Sequence, residues 1–411
     1  MNPPALPALR GIKVVELASP YTRYCGKLFA DMGADVLLVE PPRGSKGRRE
    51  APFIDEVPGV ERSLSFAYYN TSKRGVTLDL DALSGRELFR ELVAQADLVL
   101  EGERPGRLAG LGLDYDTLAK ARPGLVQTSV TAFGRTGPYS QFECEDMVGV
   151  AMGGFMYLSG YPDTAPLRAY GNQGFLAAGT YAAVASMLAL TSAELEGAGD
   201  HLDVSMQECV VMAMETAVQV FDLEHTVRKR VGARQRYAGT GVFECADGYV
   251  YMMAAGIGAN KFWGYSLGWL KEEKVPGVER LQGEAWKDFD YIQTEDAKRI
   301  FAEVFAPWAK TKTKAYLYNE GQKRHIPLAA VNTPQDILAS PQLAYRGYFV
   351  DVEHPETQKK LRMPGAPFKL SRTPWKMQRR APTLGEHNAE VYGALGRDSE
   401  TLMRLYSAGV I

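Results

Sequence analysis

Within the first forty residues a short β-type run (Lys13-Val-Val-Glu-Leu17), a helical stretch (Tyr24 to Met32) and a second strand (Asp35-Val-Leu-Leu-Val-Glu40) follow one another. That order makes a βαβ unit, because parallel neighbours can be joined only by a crossover, usually a helix. A second unit follows, with Val76-Thr-Leu-Asp-Leu80, a helix over Leu83–Gln95, a strand at Asp97–Glu101 and another at Val126–Thr131. The chain up to Arg135 is therefore expected to form an open, mostly parallel α/β sheet with crossover helices.

From Asp146 to Phe221 the pattern turns helical and rich in small residues, such as Gly149, Gly153 and Gly154, which suits helices packed at short backbone distance. The texture changes near Glu224. Arg228-Lys-Arg230 and Arg234-Gln-Arg236 make a basic segment, and Gly241–Ala254 reads as a hairpin turning at Ala246-Asp247-Gly248. A domain boundary is expected near residue 222. Trp263 to Lys323 is amphipathic and helical, Ile326–Val331 returns to strand, Tyr348 to Trp375 is strand and turn, and Asn388–Leu395 is helical.

At 411 residues the chain has the length for two domains. Its formal net charge of −2 provides no field for a polyanion, so nucleic acid is not expected as a partner. Cys25, Cys144, Cys209 and Cys245 stand far apart without a C-x-x-C pair, and Met1 to Leu9 lacks a secretory pattern, so a cytoplasmic protein with reduced thiols is expected. Gly174 to Ala193 is uncharged over a membrane-spanning length, but it is rich in Ala, Gly, Ser and Thr. It reads as a helix buried in a soluble core, not as a membrane segment.

Several catalytic patterns fail on spacing or context. The five histidines are scattered, so no metal site is expected. Gly44-Ser-Lys-Gly47 lacks the glycine spacing of a phosphate loop. After the first strand the chain reads Ser19-Pro-Tyr-Thr-Arg-Tyr24, and in Gly256-Ile-Gly258 a lysine, Lys261, replaces the third glycine, so NAD is not expected either. Gly264-Tyr-Ser-Leu-Gly268 matches a nucleophile elbow, yet no strand precedes Ser266, and an amphipathic helix burying Trp263 and Trp269 is the simpler reading.

The remaining features form an ordered set of blocks. They run from Leu9-Arg-Gly-Ile-Lys-Val-Val-Glu-Leu17 through Phe29–Pro42, Asn70–Leu80, Ala96–Glu101, Arg104-Pro-Gly106, Leu111–Tyr115, Phe133–Tyr139, Leu202–Met206, Ala246–Val250 and Ala366–Ser371 to Leu384-Gly-Glu-His387. This series resembles the class III CoA transferases (CaiB/BaiF type). The resemblance implies a large Rossmann-like domain from both chain ends (residues 1–222 and 330–411), a smaller inserted α+β domain (residues 223–329), and two chains interlocked as a dimer. It also implies CoA and acyl-CoA as substrates.

Chemistry in that family needs a carboxylate that attacks the thioester, becomes a mixed anhydride and then an aspartyl-CoA thioester. The family pattern resembles D-x-x-x-G-x-x-x-A; here Gly174 stands at the glycine and Tyr170 at the aspartate. A phenol is a poor substitute at neutral pH. Asp146, in a separate block, and Asp163, in a Tyr-Pro-Asp turn, are the nearby acids, and each also reads as a cap or turn residue. Lys73 and Arg74 match the family and, with Arg104, are the residues expected to meet CoA phosphates.

Gly102-Glu103 replaces a usual Asn-Phe, Tyr21-Thr22-Arg23 a usual Ala-Gly-Pro, and Pro41 a frequent cation. Glu103 would repel phosphates if it faced them. The expectation is a transferase subunit without its own nucleophile, completed by a paralogous chain. The alternatives are a self-sufficient transferase with a displaced nucleophile and an acyl-CoA isomerase or dehydratase-like variant, for which no acid/base pair is identifiable. Phe155, Met156, Tyr157 and Tyr237 would suit a hydrophobic acid, or simply core packing.

Overall fold

The computed structural model describes residues 6–255 and 260–411, so Gly256-Ile-Gly258 and the first five residues of the N-terminal stretch lie outside the described residues. The chain divides into two compact units, one of residues 1–156, 168–227 and 347–411, the other of residues 157–167 and 228–346.

In the first unit, β1 (Lys13–Leu17), β2 (Asp35–Glu40), β3 (Arg74–Thr77), β4 (Leu98–Glu101), β5 (Val126–Thr131) and β6 (His201–Ser205) form one sheet in the order β3-β2-β1-β4-β5-β6. Every pairing is parallel. The side-chain period of two sends neighbours to opposite faces. Val14, Val36, Leu98 and Val126 join one apolar layer, whereas Val15, Leu37 and Val99 join the other. Burial on both faces explains why these strands read as continuous apolar runs. β6 is a strand that the sequence reading left within the helical stretch 146–221; Leu202, Asp203 and Val204 carry too few apolar residues to stand out.

The first layer is covered by α1 (Arg23–Asp31) and the long helix Gln173–Glu196, the second by Leu83–Val93 and the C-terminal helices. Leu83–Val93 is α3 and Gln173–Glu196 is α5; two further helices, α2 (Leu64–Tyr69) and α4 (Asp146–Met152), matter for the site. Both chain ends build this unit. Tyr392 donates its hydroxyl to Thr77 O at 2.8 Å, and Asn388 Oδ1 accepts from Thr77 N at 2.9 Å.

α5 has the length and composition of a membrane span. It buries Gly174, Phe175, Ala178, Gly179, Ala182, Ala183, Ser186 and Ala189 and exposes Tyr181, Val184, Leu188 and Leu195. The expectation of an enclosed core helix thus holds for one face only. A Cβ at Gly179 would lie 2.9 Å from Tyr24 Cβ and 3.2 Å from Cys25 N, so glycine there lets α1 press against α5.

In the second unit, β7 (Thr240–Cys245), β8 (Gly248–Met253) and β9 (Leu328–Val331) make an antiparallel sheet in that order. The return to strand at Ile326–Val331 completes this sheet, and the chain re-enters the first unit at Gly347. The core joins α6 (Asn260–Glu272), α7 (Glu295–Ala309) and α8 (Lys314–Lys323) through Trp269, Phe301, Phe305, Trp308 and Leu317. Ser266 lies inside α6 and donates its hydroxyl to Phe262 O at 2.7 Å, so the G-x-S-x-G match is a helix turn and no elbow.

Candidate functional site

Parallel sheets of this kind bind ligands beyond the carboxyl ends of their strands, where the strand order reverses. Here the reversal lies between β1 and β4. Beneath it, Lys73 and Glu16 form a fully buried ion pair at 2.7 Å. Lys73 Nζ also donates to Asn70 Oδ1 at 2.9 Å and to Arg23 O at 3.1 Å. Burial pushes the Lys73 ammonium below its ordinary range and Glu16 pulls it back up. With Nζ enclosed among these groups, Lys73 is not available to a phosphate, contrary to the sequence expectation. The physical reason is its neighbour Glu16, an acid on β1 buried between Val15 and Leu17.

Arg74, the first residue of β3, points elsewhere. Its guanidinium bridges Asp35 at 2.7 Å and Glu390 at 2.9 Å and remains partly exposed. Arg104, also exposed, pairs with Glu143. Thus Lys73 is separated in environment from Arg74 and Arg104, which keep contact with solvent.

Tyr170 is 96% exposed in the turn before α5, with Gln173 Nε2 donating to its carbonyl at 2.8 Å. Asp146, only 4% exposed, opens α4, and its Oδ1 accepts the amide of Phe175 at 3.0 Å. It therefore caps the first turn of α5, where a negative charge also favours the helix dipole. Oδ2 of the same carboxylate is buried without a hydrogen-bond partner among the described residues. A Cβ at Gly174 would come within 3.2 Å of Asp146 Oδ1 and 3.1 Å of Met206 Sδ, which is why glycine opens this helix. Asp163, in the second unit, is exposed and paired with Arg234 at 2.8 Å, which holds its carboxyl below the usual range.

The pattern of "CoA-transferase family III" matches residues 9–388. The chain belongs to that family. It is 38% identical, over 97% of both chains, to the succinyl-CoA:(R)-benzylsuccinate CoA-transferase subunit BbsE of Thauera aromatica. Against the succinate–glutarate CoA-transferase of Agrobacterium fabrum it is 30% identical, covering 95% of this chain and 96% of that one. A CaiB/BaiF family protein from Brucella suis has the same fold, at a TM-score of 0.81 and 30% identity, covering 95% of this chain and all 100% of its own.

In this family III chain the departures around the strand ends touch one another. A Cβ at Gly102 would sit 2.3 Å from Ser19 Oγ and 3.3 Å from Tyr21 Cβ, so the loop after β1 rests directly on the end of β4. Tyr21 donates its hydroxyl to Cys144 O at 2.8 Å and meets Phe175 edge-on at 5.0 Å; burial pushes its phenol above the ordinary range. Glu103 is turned to Arg107 at 3.3 Å, and its amide donates to Glu101 Oε2 at 2.7 Å.

Sequence reasoning passed over Arg23. It is 6% exposed at the first position of α1, its Nη1 lies 2.5 Å from Glu50 Oε2, and its guanidinium carbon lies 4.3 Å from the centre of the Tyr69 ring. The available signal was an arginine where the family resemblance leads one to expect proline. Phe155 and Met156 pack on the core of the first unit and Tyr237 on that of the second, so core packing accounts for three of the four apolar candidates.

Proposed function

We propose that the chain is the subunit of a CoA transferase that lacks the acyl-accepting aspartate and works with a paralogous chain that supplies it. The observation carrying this reading is the fate of the two candidates: Tyr170, at the aspartate position of the family pattern, is a solvent-facing phenol, and Asp146 is bound into the start of α5. In the reaction, the partner's carboxylate would attack the acyl-CoA carbonyl and expel CoA thiolate, forming an anhydride. The thiolate would then return to that anhydride, releasing the first acid, and the acceptor acid would repeat the sequence in reverse. The similar protein named as a subunit supports a division of labour between chains.

The exposed apolar residues Val184, Leu188 and Leu195 of α5 are what an interlocked partner would cover. Four free cysteines support a reducing, cytoplasmic setting, and the large domain built from both chain ends would carry the CoA site.

The test is incubation of the purified chain with succinyl-CoA, followed by intact-mass analysis. No hydroxylamine-labile adduct is expected from this chain alone, and turnover is expected once a paralogue with the aspartate is co-expressed. One observation favours the self-sufficient alternative, the buried and unpartnered Oδ2 of Asp146. An acyl or CoA adduct mapped to Asp146 would establish that reading and overturn the first.

A further inference from the structure

β6 begins with a histidine whose two ring nitrogens are both engaged. Arg135 Nη1 lies 3.0 Å from His201 Nδ1, and Ser129 Oγ lies 2.8 Å from His201 Nε2. A guanidinium only donates, so Nδ1 accepts, and a neutral ring then carries its proton on Nε2 and donates to Ser129. That leaves the Ser129 hydroxyl free to donate to Glu101, whose Oε2 also takes the Glu103 amide at 2.7 Å. The arginine thus fixes the direction of the whole row of hydrogen bonds. We infer that His201 is a proton-sensitive catch for the loop of residues 133–139: it holds the Arg135 side chain while neutral and releases it when charged.

The loop follows the carboxyl end of β5, the edge of the sheet at which open α/β folds take their ligands. Its backbone is anchored where it leaves the strand, because the Asp203 carboxylate accepts the Arg135 amide at 2.9 and 3.1 Å. The Arg135 side chain is exposed and forms no ion pair among the described residues, so the His201 ring is what holds it. A proton on Nδ1 would set two donors and two positive charges 3.0 Å apart, removing the bond and adding repulsion. Farther along the loop, Tyr139 stacks on Phe142 at 5.3 Å and meets Phe133 at 6.0 Å, so loosening it frees an aromatic group at the surface.

The groups around the ring set the pH at which the catch works. Burial lowers the proton affinity of His201 most, and the Arg135 charge lowers it further; Asp203, Asp116 and Asp200 act in the opposite direction. Tyr115, at the start of the helix Tyr115–Ala121, lies against the ring at 5.2 Å, and Glu101 with its neighbour Glu103 is reached through Ser129. The net direction is down. A neutral ring therefore contributes stability that is present above the unfolded value of about 6.5 and is lost as pH falls through the lower, folded one. The catch is closed near neutral pH and opens in mild acid, where the three aspartates favour the charged ring.

The test uses the full chain without CoA and without turnover. In protein labelled with nitrogen-15 at histidine, His201 should show the Nε2–H tautomer by NMR and titrate below about 6.5. Amide exchange of residues 133–142, corrected for its intrinsic pH dependence, should quicken roughly tenfold between about pH 7.5 and about pH 5. His201→Asn keeps an acceptor near the place of Nδ1 without a titrating proton, so its loop should stay protected in acid. His201→Gln places its amide near Nε2, within reach of Ser129 but not of Arg135, so its loop should exchange fast at both pH values. Glu101→Gln, which removes the other buried titration in the row, should leave the acid response intact. An Nδ1–H tautomer, titration above the ordinary imidazole value, or equal loop protection at the two pH values would overturn the catch. So would acid loosening that persists in His201→Asn, or an acid response that disappears in Glu101→Gln and so belongs to the carboxylate.

Discussion

Glu16 and Lys73 show how one residue choice sets the character of a site. Neither is stable alone beside the buried β1 residues Val14, Val15 and Leu17, but together they form a fully buried pair. Removing one member strands the other's charge, so Lys73→Met is expected to cost about 3–5 kcal/mol, whereas Glu16→Met/Lys73→Met should recover most of that loss. Urea unfolding of the single and double variants measures both.

Glu101 is the residue with a distinct pH signature. Burial raises its carboxyl pKa, against the opposing hydrogen bonds from the Ser129 hydroxyl and the Glu103 amide. Because the folded state binds this proton more tightly than the unfolded chain, the stabilisation is present below the unfolded pKa and is lost as pH rises through the folded one. The melting temperature of Glu101→Gln should therefore lack a decline that the native chain shows as pH is raised from about 4.3 towards neutrality. Identical pH profiles would rule the effect out.

At the level of elements, the join between α4 and α5 depends on the Asp146 carboxylate and the space at Gly174. Asp146→Ala should destabilise the chain by about 1–2 kcal/mol through loss of the cap, and Asp146→Asn should restore most of it, since its amide oxygen can still accept from Phe175 N. Chemical denaturation reads this, and in a self-sufficient enzyme Asp146→Asn would also abolish turnover. Gly174→Ala should cost about 1–3 kcal/mol by overpacking against Met206 and Asp146. The helix itself was legible from its run of small and apolar residues, but the identity of its cap was not. Asp146 lies 29 positions from Phe175, and a contact at that separation has no periodicity to betray it.

At the scale of the whole molecule, the exposed apolar face of α5 is the feature that an isolated chain explains least. If a second chain covers it, Val184→Glu/Leu188→Glu should leave the chain's own fold intact by circular dichroism yet abolish co-purification with the paralogue, as read by analytical ultracentrifugation. Undiminished assembly would move the interface elsewhere.

The parallel sheet, its crossover helices and the absence of an acid at position 170 were written in local runs of residues, because strand and helix periods and a missing side-chain type are one-dimensional facts. The family followed from the order of short blocks. What only the tertiary structure decided is which charges are spent inside and which are left over. Lys73 and Arg74 are adjacent in sequence, yet one is enclosed against Glu16 and the other spans Asp35 and Glu390 near the surface. Arg23 reads only as a departure in the turn after the first strand until Glu50 and Tyr69 are seen to take part of its guanidinium and leave the rest unpaired among the described residues. Hydrogen-bond balance is settled among groups far apart along the chain, so it exists only once the fold has brought them together.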